Sequence, residues 1–337
     1  MKYLTMRSKY KRIENKRKKR HRKKKFKITC IYIFKIIIKF FILFFLLYLS
    51  NHFNIYHIKI YNYYYKRRMK FLRMTGRFYN ESHLVAFSDK INWLNLHDVT
   101  KKKAKCADKI LLHEYSKRIL KKDICNKILK IYDDPYKMNF SELPDQFALK
   151  TNHGSSFNII VHNKTDLNFE HAKKTLSYWL HLDYSTFQQE FHYTLIKRKA
   201  FVEEYLGRDI NNYKFFCYDG IPRLTYVHQD INGQKYRTFF DMDWKPLELS
   251  CGFPPHPTAI NQKPKNFELM KMYSRKLSKP FIFVRVDFYE FNNEVRLGEL
   301  TFTPMNGYYL CNEKNDIELG KYLKLPFIRT KFPKLFS

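Results

Sequence analysis

Two carboxylates near the end of the sequence lie on runs that the pattern predicts to be neighbouring strands. Asp287 and Glu299 each sit in an otherwise apolar run, and the turn-forming pair Asn292-Asn293 separates the two runs. Alternation of side chains along a strand puts Arg285 on the face of Asp287 and Thr301 on the face of Glu299. Adjacent acids repel unless a cation or proton lies between them, and such oxygen ligands suit Mg²⁺. The alternative is that both acids are solvated charges at a sheet edge.

An earlier lysine and the small loop after it could hold phosphate. Lys150 ends an apolar run and is followed by Gly154, Ser155 and Ser156. Backbone N–H groups of such a turn can point at phosphate oxygens while the ammonium neutralises their charge. Many loops of this composition are ordinary hairpins, so the motif alone leaves both interpretations open. The segment 203–206 ends another apolar run and is equally unspecific by itself.

The elements around these residues predict an α+β body. Asp219-Gly220 and Asn232-Gly233 lie between apolar runs and favour the tight turns of β-hairpins. Apolar residues at helical spacing predict three amphipathic helices, over 108–122, 169–182 and 267–277. Helices interspersed with hairpins indicate largely antiparallel sheets with helices packed on them.

The order of these motifs resembles that of ATP-grasp enzymes. Three stretches, Pro144–Ser155, Tyr213–Gly220 and Phe283–Pro304, are similar to the TupA-like ATP-grasp family in particular. That family is associated with the assembly of teichuronopeptide and capsular polysaccharide. The resemblance covers residues 85–325 and implies an ATP-grasp-like domain there.

The resemblance also implies ATP and Mg²⁺ as cofactors and a role for each motif residue. Lys150 and Arg285 would be catalytic, at the phosphates and at the transferred phosphoryl group. The implied nucleotide-binding residues are Lys150, Gly154, Ser155, Ser156, Glu203, Glu204, Tyr205, Leu206 and Lys214. The implied metal ligands are Asp287, Glu299 and Thr301, the last at a position where many ATP-grasp enzymes have Asn.

The implied activity is that of an ATP-grasp ligase, which activates a carboxylate as an acyl phosphate for attack by a nucleophile. The expected acceptor is a cell-surface glycan or its precursor, or another acidic saccharide or peptide. Alternatives are a phosphotransferase or glycosyltransferase-like enzyme of glycan biosynthesis, and a non-catalytic nucleotide-binding scaffold. Three basic residues could recognise an acidic acceptor or could be solvated hairpin charges: Arg223, Lys235 and Arg237.

The charge of the chain is concentrated at its N-terminus. The 337 residues carry a formal net charge of +33, and residues 1–70 hold 22 Lys/Arg with a single acid. Hydrophobic residues at 45% and aromatic residues at 18% exclude a disordered chain. Because no helix-turn-helix, zinc-finger or RNA-recognition pattern is present, we expect no specific nucleic-acid partner.

The sequence predicts a membrane anchor directly after the basic residues 1–27. Residues 28–49 are apolar apart from Thr29, Lys35 and Lys39, and as a helix they would extend ~33 Å, enough to cross a bilayer. An interfacial basic helix is the alternative. The larger positive charge of residues 1–27 should stay cytoplasmic, so we expect a single-pass type II protein with its body in a secretory lumen. Residues 50–84 are predicted as a basic aromatic stalk, and 326–337 as a C-terminal tail.

Two further patterns concern the body. Its five cysteines contain no Cys-x-x-Cys pair, so neither a zinc site nor a thioredoxin-like site is indicated, and at least one thiol stays free within the chain. Three Asn-x-Ser/Thr acceptors for N-glycosylation occur, at Asn80, Asn139 and Asn163. They agree with a lumenal body, where an ATP-dependent reaction requires imported ATP.

Overall fold

A computed structural model describes most of the chain. The described residues are 38–39, 55–207, 210–257, 262–308 and 311–326. Apart from residues 38–39, the predicted membrane span 28–49 lies outside this part, as does the predicted tail 1–27. Within the described stretches, no helix is both long enough and apolar enough to span a bilayer. The chain divides into two compact units, Met1–Tyr61 and Asn62–Ser337, and the second contains the sheets and the candidate site.

Four antiparallel strands form the first sheet, in the spatial order β1-β4-β2-β3. They are β1 (Ile128–Tyr132), β2 (Phe147–Thr151), β3 (Asn158–Val161) and β4 (Ala200–Glu204). Ala148 of β2 faces Glu203 of β4, and Lys150 faces Phe201. This register leaves Lys150 two residues along the ladder from Glu203, within reach of a long side chain.

Five antiparallel strands form the second sheet, in the order β7-β6-β5-β8-β9. They are β5 (Asn212–Tyr218), β6 (Ile221–Ile231), β7 (Gln234–Asp241), β8 (Phe283–Phe291) and β9 (Glu294–Thr301). Both residues of each predicted hairpin turn have positive φ, for example 47° and 75° at Asp219 and Gly220. Such turns match the twist of the strands, which explains why these dipeptides predicted the hairpins.

The described helices pack on and around the two sheets. They are α1 (Ile55–Thr75), α2 (Phe87–His97), α3 (Lys101–Ala107), α4 (Leu112–Leu120), α5 (Phe169–His181), α6 (Tyr184–Gln188), α7 (Phe267–Ser278) and α8 (Glu313–Gly320). The predicted helix 108–122 is shorter than expected because Asp108 accepts hydrogen bonds from the N–H groups of Ile110 and Leu111. That turn uses the side chain in place of helical bonds.

The second sheet is buried on both faces, which fixes β8 in the centre of the body. Phe215 and Val286 belong to a core that includes Met270 of α7, whereas Phe216 and Phe283 belong to a separate core that includes Phe87 of α2. Each fully buried aromatic or aliphatic side chain contributes about 1.5–3 kcal/mol. The residues of β8 are therefore held between two apolar layers, and its polar residues are positioned with little freedom.

The packing of the body extends into the segment that the sequence assigned to a stalk. Arg67 and Phe71 of α1 are almost fully buried. The guanidinium of Arg67 donates to Asn92 Oδ1 at 2.6 Å, to the carbonyl oxygen of Gln189 at 3.0 Å and to that of Asn306. A single buried cation thus ties α1 to α2 and to two loops.

One disulfide joins two of the five body cysteines, Cys251 and Cys311. The thiols of Cys106, Cys125 and Cys217 are free and buried. The prediction that at least one thiol stays free is therefore confirmed.

Candidate active site

Four of the predicted residues form one ionic cluster on β8 and β9. Asp287 faces Glu299 across the ladder, and Arg285 faces Thr301. Arg285 binds Asp287 through two N–H groups, Nε to Oδ1 at 2.7 Å and Nη2 to Oδ2 at 2.6 Å. Its Nη2 also donates to Glu299 Oε1 at 3.2 Å and to Thr301 Oγ1 at 3.1 Å. The predicted sharing of one face is therefore observed. Asp287 is buried, and Glu299, on the edge strand β9 with a side-chain exposure of 30%, is paired with Arg285, so neither acid is an unpaired solvated charge.

Lys214 of β5 completes this cluster from the other side of β8. It lies opposite Asp287 in the ladder, and its Nζ forms an ion pair with Asp287 Oδ2. Asp287 is fully buried, so both cations serve to stabilise its charge. Lys214 was expected near phosphate or an acidic substrate, and the structure puts it beside the predicted metal ligands.

The electrostatics of the cluster keep Glu299 ionised. Burial by itself would raise the pKa of Glu299, but the nearby cations Lys109, Lys214 and Arg285 lower it to about 2. Burial likewise opposes the charge of Arg285, and the carboxylate of Asp287 overcomes this and raises the pKa of Arg285. Carboxylate oxygens at neighbouring positions of two paired strands are the donors that Mg²⁺ prefers, so the donor set of Asp287 and Glu299 fits the metal.

Thr301 has a different place in the cluster from the other two predicted ligands. Its hydroxyl donates to Glu299 Oε1 at 3.0 Å and accepts from Arg285. Both hydrogen-bonding functions of the hydroxyl therefore hold the carboxylate and the guanidinium in place. Its role as a metal ligand stays a prediction.

The predicted phosphate lysine lies on the first sheet and is paired with a predicted nucleotide-binding acid. Lys150 Nζ forms an ion pair with Glu203 Oε2, and both side chains are largely buried. Asn126 Nδ2 also approaches Glu203 Oε2, at 3.4 Å. Glu203 thus fixes the direction of the Lys150 ammonium. The predicted contact of residues 203–206 with a nucleotide stays a prediction.

A cavity of about 390 Å³ opens beside this pair. Six of the residues that line it are Lys150, Glu203, Glu204, Tyr205, Leu206 and Tyr289. The first five were predicted to bind nucleotide, and Tyr289 belongs to β8 of the second sheet. The cavity is therefore lined mainly by the first sheet and the segment after β4, and it reaches β8 of the second sheet at Tyr289.

Tyr289 connects the cavity to the ionic cluster. Burial raises the pKa of Tyr289, and the negative charges of Glu299, Asp287 and Glu203 raise it further. On β8, Tyr289 is two residues beyond Asp287, so strand alternation puts both side chains on the same face of the sheet, and Tyr289 also lines the cavity beside Lys150 and Glu203. The two groups of predicted residues thus face a common region.

Lys109, which the sequence did not single out, also joins the two halves. Its Nζ donates to the carbonyl oxygen of Gly154 at 2.7 Å. Burial lowers the pKa of Lys109, while the charge of Glu299 raises it. Lys109 therefore adds a second cation beside the predicted phosphate loop. It lies in a short turn before α4 and carries no local motif, so only tertiary packing reveals it.

The loop after β2 makes the close approach that its glycine permits. Gly154 has a φ of +76°, and a Cβ there would lie 2.7 Å from the ring of Tyr184. Ser155 and Ser156 are exposed at the end of the loop. The neighbouring His153 is buried, which lowers its pKa to about 4, so the ring is neutral at physiological pH. The loop thus presents small exposed residues above a rigid base, as the predicted phosphate loop requires.

Glu190 is a second site residue that the sequence missed. Its buried carboxylate accepts a hydrogen bond from the hydroxyl of Thr303, two residues beyond Thr301. Burial raises the pKa of Glu190 to about 7, although Thr303 and Arg67 act in the opposite direction. Glu190 lies in an irregular segment before a 3₁₀ turn, where no periodicity marks it. It extends the acidic end of the site beyond β9.

The three basic residues predicted as possible acceptor contacts do not join this site. Arg237 is buried and donates to the carbonyl oxygen of Cys251 at 2.6 Å. Arg223 lines a separate cavity of about 270 Å³ together with Tyr322. Lys235 is exposed near the β6–β7 turn. Arg237 has a structural role, and the structure gives no contact that would make the other two acceptor residues.

The sequence model of the TupA-like ATPgrasp family matches residues 89–324. The chain belongs to this family. The predictions of the TupA-like ATP-grasp family and of an ATP-grasp-like α+β fold with antiparallel sheets and packed helices are therefore confirmed. Comparison with curated proteins found no match.

Several solved structures of ATP-grasp enzymes are similar to this family member. The D-alanine-D-alanine ligase of Helicobacter pylori has 19% identity and a TM-score of 0.37 over 66% of this chain and 60% of that one. The ATP-grasp ligase PsnB with its minimal precursor has 11% identity and a TM-score of 0.36 over 60% and 55%. The carboxyaminoimidazole ribonucleotide synthase of Aspergillus clavatus with ATP has 10% identity and a TM-score of 0.37 over 59% of this chain and 45% of that one. The chain thus spans about half of these enzymes' length, and such distant likenesses add nothing to the family assignment.

Proposed function

We propose that this TupA-like protein is an ATP- and Mg²⁺-dependent ligase that activates a carboxylate as an acyl phosphate. Its acceptor would be a cell-surface glycan or a precursor of one. The observation that carries the proposal is the common region faced by Lys150 with Glu203 and by Asp287 with Glu299. Tyr289 of β8 lines the cavity beside Lys150, and Lys109 donates a hydrogen bond to the loop at Gly154. Two lysines for phosphates and two acids for a metal form a complete set for phosphoryl transfer.

Each residue has a physical role in this reaction. Lys109 and Lys150 would neutralise phosphate oxygens, and the loop at Gly154 would cover them. Asp287 and Glu299 would hold Mg²⁺, which when bound neutralises charge on the phosphates. Arg285 would stabilise the negative charge that spreads over the transferring phosphoryl group. The carboxylate oxygen of the substrate bonds to phosphorus as ADP leaves, and the nucleophile then attacks the acyl carbon as phosphate leaves.

Nucleotide binding and turnover test the site in two separate ways. We expect Lys150→Ala to weaken ATP binding at least about tenfold, a loss of ~1.4 kcal/mol, measured by calorimetry on the full chain. Asp287→Asn should retain ATP binding in the absence of Mg²⁺ and lower ADP formation about a hundredfold or more. Lys235→Ala, on an exposed hairpin, is the matched control. Normal binding and normal turnover in both site variants would exclude the proposed site.

Trapping with hydroxylamine distinguishes ligation from phosphoryl or glycosyl transfer. Hydroxylamine attacks an acyl phosphate and gives a hydroxamate, whereas a phosphorylated sugar does not react in this way. We expect hydroxamate to form from ATP and a carboxylate-bearing cell-surface glycan extract. A phosphorylated sugar without hydroxamate would favour the phosphotransferase alternative, and the absence of any nucleotide turnover would favour the scaffold.

We also propose that residues 28–49 anchor the chain and that its body lies in an oxidising lumen. The Cys251–Cys311 disulfide supports this compartment, because such bonds persist in oxidising environments. The three glycosylation acceptors, Asn80, Asn139 and Asn163, are all exposed. Expression in a secretory system should give a mass decrease on glycosidase treatment. An unmodified chain whose body is digested in sealed vesicles with the cytoplasmic side outward would overturn this orientation.

A further inference from the structure

Three side chains with metal-binding atoms meet away from the ATP site. His113 lies on α4, and Asp123 and Cys125 lie on the segment that connects α4 to β1. One ring nitrogen, one carboxylate oxygen and one sulfur are all within 4.8 Å of one another. We propose that His113, Asp123 and Cys125 form a site for a divalent transition metal of the Zn²⁺ type. No local motif indicates this site, because the three residues have none of the usual zinc-ligand spacings.

The ligand types select the metal class. Imidazole nitrogen and thiolate sulfur suit Zn²⁺, whereas Mg²⁺ prefers oxygen alone. At Zn²⁺ bond lengths of about 2.0–2.3 Å, ligand atoms lie ~3.3–3.8 Å apart. On metal binding, the His113 and Asp123 atoms, now 2.8 Å apart, would therefore separate slightly, and the Cys125 sulfur, within 4.8 Å of both, would move to the same range of distances. His113 and Asp123 are partly exposed, with side-chain exposures of 21% and 39%, and can make this movement. Their exposure also leaves the fourth position open to water.

The cluster is held together before any metal binds. His113 Nδ1 and Asp123 Oδ2 are 2.8 Å apart, and the backbone N–H of Cys125 donates to Asp123 Oδ1 at 3.0 Å. Ser116 of α4 donates to the carbonyl oxygen of Lys122 at 3.3 Å and accepts from the N–H of Ile124 at 3.3 Å. These bonds fix the segment against the helix that carries His113. Little conformational entropy therefore remains to be lost on binding.

Metal binding would exchange the thiol proton of Cys125 for the metal. A divalent cation would displace the proton from sulfur and form the metal–sulfur bond, with the proton released to solvent. The Asp123 side chain, which accepts a hydrogen bond from the backbone N–H of Cys125, places an oxygen ligand beside the sulfur.

The position of the cluster gives such a site a structural consequence. The carbonyl oxygen of Ile124 accepts a hydrogen bond from the N–H of Leu297 on β9 at 2.8 Å. The backbone of Cys125 also forms an isolated β-bridge with Leu297. The next residue, Asn126, lines the nucleotide cavity. The segment therefore runs from the second sheet to the first, and a bound metal would fix it to α4.

Cobalt spectroscopy on the full chain tests this inference directly. Titration of the chelator-treated protein with Co²⁺ should give a thiolate-to-cobalt charge-transfer band at one equivalent. Zn²⁺ should displace the Co²⁺, and a large excess of Mg²⁺ should not. This readout does not depend on ATP turnover. The metal site can therefore be disproved while the proposed ligase activity holds, and the ligase activity can be disproved while the metal site holds.

Two variants and one matched control complete the experiment. Cys125→Ala should remove the charge-transfer band, and His113→Gln, a surface change, should weaken Zn²⁺ binding at least about tenfold. Cys106→Ala removes a buried free thiol outside the cluster and should leave the spectrum unchanged. The inference is overturned if the band is absent from the unaltered protein, or if it persists in both cluster variants.

Discussion

The ring of Tyr289 lies against Gly298 across the hairpin of β8 and β9. A Cβ atom at position 298 would lie 2.5 Å from Cε2 of that ring, closer than real Cβ atoms approach a neighbour. Tyr289 lines the cavity beside Lys150 and Glu203 and lies two residues beyond Asp287 on β8. The missing side chain at Gly298 therefore allows the ring to form the wall that the two halves share.

Gly298→Ala should displace this ring and weaken ATP binding. The added methyl group overlaps the aromatic ring. Gly298 is the extra residue of a bulge, and its neighbours Leu297 and Glu299 are both paired with β8, so the ring is the group that moves. We expect the Kd for ATP to rise about tenfold, ~1.4 kcal/mol, in a calorimetric titration.

Tyr289→Phe provides the matched control for this variant. It keeps the ring and removes only the hydroxyl, so ATP affinity should change much less than in Gly298→Ala. Equal losses in both variants would show that the hydroxyl, and not the ring position, determines binding.

Lys109→Ala should lower both ATP affinity and turnover. The variant removes the hydrogen bond to Gly154 and one of the cations that hold the pKa of Glu299 near 2. We expect ATP affinity to fall about tenfold and ADP formation to fall further. Binding would be measured by calorimetry and turnover by release of ADP.

Lys105→Ala is the control for the loss of a lysine from the same region. Lys105 lies on α3 and pairs with Glu114 at an exposed position, so its removal should leave ATP binding unchanged. If Lys109→Ala behaves like Lys105→Ala, Lys109 does not contact nucleotide.

Local sequence was sufficient to predict the parts of the site that lie on strands. Asp287 and Glu299 share a hairpin, and strand alternation with an Asn-Asn turn specifies which side chains face each other. Lys150 was found because it precedes a glycine that must approach another group closely. In these cases, backbone geometry over a few residues determines where the side chain lies.

Lys109 and Glu190 could not be predicted in this way. Each lies on an irregular segment whose position depends on residues far along the chain, such as Gly154 for Lys109 and Thr303 for Glu190. The same limit explains why the sequence predicted a stalk at Arg67. The partners that bury Arg67 are Asn92 and the carbonyl oxygens of two loops far along the chain. Contacts of long sequence separation leave no periodicity in a single sequence.

Glu190 should make the stability of the protein depend on pH. Its pKa is about 7 in the folded protein and 4.5 in an unperturbed chain. Between these values the folded protein holds a proton that the unfolded chain has released. The free energy of unfolding therefore falls as pH rises through this window, by about 3 kcal/mol in total.

Urea unfolding of the unaltered protein and of Glu190→Gln, at pH 4 and pH 8, would measure this contribution. Gln cannot ionise, so the variant should not lose this contribution. Its free energy of unfolding, relative to that of the unaltered protein, should rise by about 3 kcal/mol between pH 4 and pH 8. The same stability difference at both pH values would mean that Glu190 titrates normally.

The disulfide between Cys251 and Cys311 should be a major source of stability. It closes a loop with a sequence separation of 60, and a crosslink of that length removes conformational entropy from the unfolded chain. We expect the double variant Cys251→Ala/Cys311→Ala to lose about 4 kcal/mol of unfolding free energy. Denaturant unfolding of the unaltered protein and of the double variant, both without a reducing agent, would measure this loss.

A reducing agent separates this effect from the loss of side-chain packing. Dithiothreitol should lower the Tm of the unaltered protein towards that of the double variant, and it should leave the Tm of the double variant unchanged, since no other disulfide exists among the described cysteines. Cys251 is fully buried, so part of the variant's loss comes from its missing sulfur atoms. The difference between the reduced protein and the double variant measures that part. If reduction leaves the Tm of the unaltered protein unchanged, the two cysteines are not bonded in solution, and the support that the bond gives to an oxidising compartment disappears with it.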